Sequence, residues 1–380
     1  MKKIFAYSAS ATVVGLALGM SGAALAAEGG PLLFGLQFPI TGDYAVEGQG
    51  VKNGLDLLIE QKNAEGGLLG REIKLIVCDD EGKASRATIC ARQLVNDSVI
   101  GVVGSYTSGA SLAAGPTYSR ANVIHSSDGT SDELTAKGWK NFFRNDPPNS
   151  AEAAFTGDYL VNTKGYKNIA IITDHSSYAT DLADSVEKSI KTHNGHIASK
   201  EFINAGTQDY TAVLTKIKSV NPDVVYFSGY YTDGGLIKAQ MDQLKMAADF
   251  VGGDTNQSEA FIQIAGASAP GSVVINVPPP ESLPYENAAR FLADYKEKYG
   301  SKPPSIYTLT NVDGLNSIFA AIEATQSTDF SAIEQWLHNM PAEFEGLTGK
   351  MKWDENGERA GSLMAAMEVQ PDGSFKIVHQ

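Results

Sequence analysis

The residues best placed to do chemistry follow a short apolar run, Val99-Ile-Gly-Val-Val103. Gly104-Ser-Tyr-Thr-Ser108 is a loop dense in hydroxyls, and the small residues from Gly109 to Ala121 read as a helix packed close to a sheet. A strand that runs through such a loop into a helix leaves unpaired N–H groups and a positive dipole end at the loop. A carboxylate or phosphate is the natural guest there. The competing reading is an ordinary helix cap at Thr107 or Ser108, because Ser and Thr favour that position.

Other chemistries find less support. A Rossmann dehydrogenase needs GxGxxG after its first strand, and Leu36 to Thr41 carries no such run. A serine hydrolase needs GxSxG, but Thr107 precedes Ser108 and the leading glycine is missing. The 6 histidines are scattered, His193 and His196 sharing a polar turn, so neither a catalytic base nor a metal pair stands out. No cofactor and no metal are expected. A net charge of −14 argues against nucleic acid and anionic lipid as partners. The 2 cysteines, Cys78 and Cys90, form no CxxC. They read as a disulfide closing a short loop, worth about 3 kcal/mol at most, or as two buried thiols.

These residues must be positioned by a scaffold, and the chain supplies one after an address. Lys2 and Lys3, the apolar stretch Ala11 to Gly19 and the small-x-small site Ala24-Leu25-Ala26 read as a signal peptide over 1–26. No cysteine follows the apolar stretch to carry a lipid, and no later run reaches the roughly 18 apolar residues that span a membrane. Export into a bacterial periplasm is expected. With 43% hydrophobic and 19% charged residues the mature chain is globular in composition, and its length suggests two domains.

Strand and helix signals then alternate. Leu32 to Phe38, Ile73 to Val77, Val99 to Val103 and Asn122 to His125 read as strands. Val51, Leu55, Leu58 and Ile59 mark one apolar helix face between the first two. After the Pro-rich Asn145-Asp-Pro-Pro-Asn149 the pattern restarts, with strands at Ile169–Thr173, Ile197–Phe202, Val224–Phe227, Phe250–Gly252 and Ser272–Val277. Pro278-Pro-Pro280 is a second stiff crossing, followed by helices at Tyr285–Tyr299 and Leu315–Ala324. Asp372-Gly373 marks a hairpin turn that pairs the C-terminus onto the second lobe. The fold expected is α/β, two doubly wound parallel-sheet lobes joined by a multi-strand hinge. The first lobe takes 27–148 plus 279–360, and the second takes 149–278 plus 361–380. A cleft between such lobes is where a ligand binds.

Asn63-Ala-Glu-Gly-Gly-Leu-Leu-Gly-Arg-Glu-Ile-Lys-Leu-Ile-Val-Cys-Asp-Asp80 resembles the type I solute-binding proteins of ABC importers that take amino acids, typified by the leucine/isoleucine/valine-binding protein. Pro39-Ile-Thr-Gly42, Val95-Asn-Asp97, Glu133-Leu-Thr-Ala-Lys-Gly138, Phe143-Arg144, Ile169-Ala-Ile-Ile172 with Tyr178, and Gly349 through Trp353-Asp-Glu-Asn-Gly357 match in the same order. The ordered set carries the resemblance over essentially the whole mature chain.

The resemblance implies a periplasmic, non-enzymatic binding protein, expected as a monomer, whose partners are an amino-acid ligand and the membrane subunits of an ABC permease. A sensory protein of the same fold is the rival. It implies that Ser108 and nearby amides take the ligand's α-carboxylate and that Thr130 touches both ends. The backbone at Asp128 would accept from the ammonium, Tyr178 and Tyr230 would close over the ligand, and Asp254 would face the ammonium. By default Asp254 would be a loop residue or a cap, and the tyrosines half-buried packing residues. The sequence departs from the pattern in the side-chain pocket: Glu47 replaces an aromatic residue, Asp128-Gly129 replaces two small apolar ones, and Tyr106 and His125 lie at nearby strand ends. Buried carboxylates need partners, so a polar or cationic ligand is one expectation. Exposure of Glu47 and Asp128 to solvent, or pairing with each other's neighbours, is the other.

Overall fold

A computed structural model describes residues 29–340, 344–361 and 364–380, so the expected signal peptide lies outside the described residues. Five strands, β1 (Leu32–Phe38), β2 (Ile73–Asp79), β3 (Gly101–Val103), β4 (Ile124–Ser127) and β5 (Phe142–Arg144), make a parallel sheet in the order β2-β1-β3-β4-β5. The helices α1 (Ala45–Ala64), α2 (Ala84–Asn96), α3 (Ser108–Ala121) and the short α4 (Glu133–Ala136) connect them. In β1, Phe34, Leu36 and Phe38 are buried on one face and Gly35 and Gln37 on the other, as expected for a sheet covered on both faces.

The chain then crosses to a second sheet through α5 (Asn149–Asp158). Its parallel strands are β6 (Ile169–Thr173), β7 (Ile197–Phe202), β8 (Val224–Ser228), β9 (Asp249–Gly252) and β10 (Val273–Asn276). They alternate with α6 (Ser177–Thr192), α7 (Thr211–Lys218), α8 (Tyr231–Gln243) and α9 (Glu259–Ala265). Beyond β10 come α10 (Glu286–Tyr299), α11 (Tyr307–Thr325), α12 (Phe330–His338) and a small hairpin, β11 (Phe344–Gly346) with β12 (Gly349–Met351). The C-terminal β13 (Ala365–Val369) and β14 (Phe375–His379) complete the second sheet in the order β14-β13-β10-β9-β8-β6-β7. β13 pairs antiparallel with β10 and β14 antiparallel with β13, so the hairpin expected at Asp372-Gly373 makes this otherwise parallel sheet mixed. A tight hairpin leaves no room for the crossover that a parallel pairing needs.

Three further departures have physical reasons. The fourth strand starts at Ile124, because Asn122 adopts a left-handed conformation (φ 56°) that ends α3. The strand β5 is only three residues long, too short to show a period. The helix α11 begins at Tyr307, eight residues before the expected Leu315, because its first turns are buried on all sides. Thr308, Thr310, Asn311 and Asp313 are all fully buried, which erases the amphipathic signal. Its close packing on α1 depends on Gly54, where a Cβ would lie 2.7 Å from Thr308 Cγ2.

Cys78 on β2 and Cys90 on α2 are joined by a disulfide, with Cα atoms 5.5 Å apart. The segments that cross between the sheets are tied to one another. Trp353 Nε1 donates to the Arg144 carbonyl at 2.7 Å, the Arg144 N–H donates to Gly357 O at 2.9 Å, and Arg359 Nη1 donates to Asn145 O.

Candidate functional site

Loops at the C-terminal ends of both sheets meet around one small cavity. From the first sheet it is lined by Tyr106, Ser108, Asp128 and Thr130; from the second by Tyr178, Tyr230, Asp254 and Thr255; Tyr307 of α11 completes it. This is the position that open α/β sheets reserve for ligands.

On the first wall the hydroxyl loop divides its work. Thr107 is the N-cap of α3: its Oγ1 accepts from the Ala110 N–H at 3.3 Å and donates to Gly82 O at 3.0 Å. Capping is therefore its role, and it does not line the cavity. Ser108, the first residue of the helix, does line it, and its Oγ accepts from the Ser131 N–H at 3.2 Å. Gly129 is likewise behind the surface. A Cβ there would sit 2.8 Å from Leu134 Cδ1 and 3.3 Å from Ser108 Cα, so glycine lets the loop of Asp128 and Thr130 lie close against α3. Arg144 holds that loop from below. Fully buried, it donates to Gly129 O and to Ser131 O (3.0 Å), and its Nε reaches Glu358 at 2.7 Å.

On the second wall Asp254 opens a 3-10 turn after β9 and is 4% exposed. It caps no helix: α9 is capped by Ser258. Its Oδ1 accepts from the Tyr178 hydroxyl and from the Thr255 N–H at 2.8 Å, and its own N–H donates to Glu152 Oε1 at 3.3 Å. Tyr178 sits in the first turn of α6 and Tyr230 at the N-cap of α8, their ring centres 5.1 Å apart. Both are buried, not half-exposed packing residues. Tyr106 stands 5.8 Å from Tyr230 and 5.3 Å from Tyr307, so the rings form a continuous aromatic wall.

Two expectations change. Glu47 neither lines the cavity nor meets solvent. Its carboxylate, fully buried in the first turn of α1, accepts from Ser258 Oγ at 3.0 Å and from Ser305 Oγ. Burial pushes its pKa up to about 7, the two serine hydroxyls pulling the other way. His125 is also displaced from the site. It is buried, bonds Gly104 O through Nε2 and packs between Tyr118 and Phe142, and burial lowers its pKa to about 4.

Sequence reasoning missed Tyr307 and Thr255 on the wall, and the buried acids Asp146 and Glu152 behind it. Asp146 raises the pKa of Asp128 on top of the effect of burial, whereas burial and the Asp254 charge push Asp146 up to about 7 against the pull of Arg359, Arg144 and its hydrogen bond with Asp128. Burial likewise drives Glu152 and Asp254 upward, with Asp254 adding to the rise at Glu152. The polar pair Asn145-Asp146 ahead of Pro147-Pro148 carries no signal that its acid turns inward, whereas Arg144 was marked by the Phe143-Arg144 match.

A family model described as periplasmic binding protein matches residues 31–374. This chain belongs to that family. As a periplasmic binding protein it is 27% identical over 369 residues to Leu/Ile/Val-binding protein homolog 1 of Brucella suis, with 95% of this chain and 98% of the relative covered. It is 28% identical over 381 residues to the amino acid binding protein of Pseudomonas aeruginosa, covering 98% of each. Among solved structures, the branched-chain amino acid transporter substrate binding protein LivJ of Streptococcus pneumoniae, in complex with isoleucine, superposes with a TM-score of 0.83 at 27% identity. That alignment covers 92% of this binding protein and 100% of LivJ.

Among the described residues of this periplasmic binding protein no helix is long and apolar enough to cross a membrane, and no group of three or more His, Cys, Asp or Glu is placed to hold a metal ion.

Proposed function

We propose that this periplasmic binding protein captures an α-amino acid between its two sheets and delivers it to the membrane subunits of an ABC permease. The observation that carries this reading is the polarity of the cavity. The start of α3, with Ser108, offers donors to a carboxylate, while Asp254 with Tyr178 offers an anion to an ammonium, and each end comes from a different sheet. A zwitterion bridging the two would hold the sheets together, which is the population shift that hinged binding proteins use. Relatives named for leucine, isoleucine and valine or for amino acids support it.

In this reading the lobes are 27–148 with 279–360 and 149–278 with 361–380, the first 26 residues are removed on export to the periplasm, and the mature protein is a monomer that performs no catalysis. Ser108, Thr130, Tyr178, Tyr230, Asp254 and Tyr106 contact the ligand, and the Asp128 loop lies against it. Thr107, Gly129 and Glu47 act on the cavity from behind.

A thermal-shift screen of the twenty amino acids, γ-aminobutyrate and simple carboxylates tests the ligand class. A true ligand at 100 times its dissociation constant adds about 2.7 kcal/mol of stability. Stabilisation by α-amino acids with none by plain carboxylates is expected. A response to plain carboxylates alone, or to nothing, would remove the substrate. Small-angle scattering tests closure: the radius of gyration should fall when the best ligand is added, and an unchanged value would count against a hinged cleft.

A further inference from the structure

The cavity wall is more acidic than a simple zwitterion requires. It contains four tyrosines, two aspartates and three hydroxyl residues, with no aliphatic side chain and no lysine or arginine. Two more acids, Asp146 and Glu152, lie just behind it, each 2% exposed. The nearby cations are already engaged: Arg144 pairs with Glu358 at 2.7 Å, and Arg359 donates to Asn145 O and to Thr348. Arg359 and Arg144 favour the charged form of Asp146 behind the wall, so one ammonium at Asp254 still leaves Asp128 without a cation of its own, and a buried charge without a partner is costly.

Buried atoms without hydrogen-bond partners point to what should fill that side. Asp128 Oδ1, on the cavity wall, has none, although Oδ2 accepts from Asn311 Nδ2. Both Asp146 oxygens and Asn311 Oδ1 also lack partners, as do the hydroxyls of Tyr106 and Tyr307. A proton shared between Asp128 and Asp146 serves one oxygen of each and leaves other acceptors unmet. Asn145, whose Oδ1 accepts from Ser126 Oγ at 2.6 Å while its Nδ2 is without a partner, is placed with Thr310 to favour the ionised form of Asp128. The carboxylate and amide oxygens accept, so the group that completes them must carry hydrogen-bond donors, as an ammonium does. Tyrosine rings around the cavity also favour a cation, through the negative charge of their faces.

We propose that the ligand is a short diamino acid, an α-amino acid whose side chain ends in a second primary ammonium, received by Asp128 while Asp254 and Tyr178 receive the first. This rests on the reading of the cleft as an amino-acid site. A quaternary ammonium is disfavoured because it has no N–H to offer Asp128. A branched aliphatic side chain is disfavoured because it would strand that carboxylate without a partner.

Calorimetry on the intact protein with ornithine, diaminobutyrate, leucine and glycine betaine tests it. The expected result is that one of the two diamino acids binds at least tenfold more tightly than leucine and that betaine gives no heat. In Asp128→Asn the diamino acid should weaken by more than tenfold, a larger loss than leucine suffers. Leucine binding as tightly as both diamino acids would overturn the substrate class while leaving the amino-acid reading in place. Heat from no amino acid at all would overturn both. A second measurement does not depend on the variant folding. Diamino-acid binding to the unaltered protein near pH 7, in two buffers of different ionisation enthalpy, should release protons as the second cation displaces them from the Asp128–Asp146 pair. Equal heats in the two buffers would show that the cation does not land there.

Discussion

Asp254 and Ser108 enter the same cavity from different sheets, and their loss should be felt unequally. Asp254→Ala removes the acceptor of the Tyr178 hydroxyl and the counter-charge of a buried ammonium, a loss of roughly 2–5 kcal/mol in binding by analogy with buried charge pairs. Ser108→Ala removes one charge-assisted hydrogen bond but leaves the amides at the start of α3, a loss of about 1.5–3 kcal/mol. Calorimetry with the best ligand from the screen should rank Asp254→Ala as the worse variant. Unaltered affinity in Asp254→Ala would mean that the ammonium is held elsewhere, with Asp128 the next acid on the wall. Ser108 was legible from the apolar run that precedes its loop, whereas the run before Asp254 marked only a strand end and the family resemblance pointed to its role. Asp146 and Glu152 were not, since nothing in Asn145-Asp-Pro-Pro-Asn149 or in the first turn of α5 separates an inward acid from a solvated one. Glu47 was read as ligand-facing, exposed or paired with neighbours of Asp128, and it is held instead by two serines distant in sequence.

At the scale of elements, the hydroxyl loop and α3 form one unit whose cap and whose floor are separate residues. Thr107→Ala should lower unfolding stability by about 1 kcal/mol, the usual cost of a lost N-cap, as read from denaturant midpoints. A variant as stable as the parent would show that neither the cap nor the Gly82 contact of that hydroxyl contributes to stability. The β2–α2 unit is stapled by Cys78–Cys90, and Cys90→Ser should cost up to about 3 kcal/mol. Mass spectrometry of unreduced, alkylated protein checks the bond itself: two alkylated cysteines would contradict it. Most elements were legible because buried strands are apolar and short while their helices show one apolar face. The exceptions share a cause. In α11 the buried residues include Thr308, Asn311 and Asp313, the last two bonded to partners far along the chain. Composition alone hides both the helix start and the arrival of Tyr307 at the site.

For the molecule as a whole, Glu47 ties α1 of the first sheet to Ser258 at the cap of α9 beside the second, with Ser305 ahead of α11 as the third point. Unfolded, this carboxyl titrates near 4.5; folded, it titrates at about 7, with Glu259 the acid that adds to the effect of burial. Between those values the folded protein holds the extra proton, so Glu47 lowers stability progressively as pH rises from about 4.5 to about 7. Glu47→Gln should remove that slope, and its stability relative to the parent should increase across the same window in denaturant titrations. A constant difference from about pH 4.5 to about pH 8 would mean that Glu47 is charged throughout. The two-sheet plan was legible from the restart of the alternating pattern after Pro148, but the antiparallel closing pair has a consequence of its own. The strand β10 borders β9 on one side and β13 on the other, so its second edge is covered only by the last residues of the chain. A chain emerging from a ribosome or threaded through a translocation pore presents Val273–Asn276 well before Ala365–Val369 has arrived. For that interval an apolar strand stands with a free edge, the kind of template on which nascent chains stick to one another. Secretion yield, more than the melting point of the finished protein, should therefore be sensitive to trimming the C-terminus, with truncations ahead of β13 recovered as aggregates.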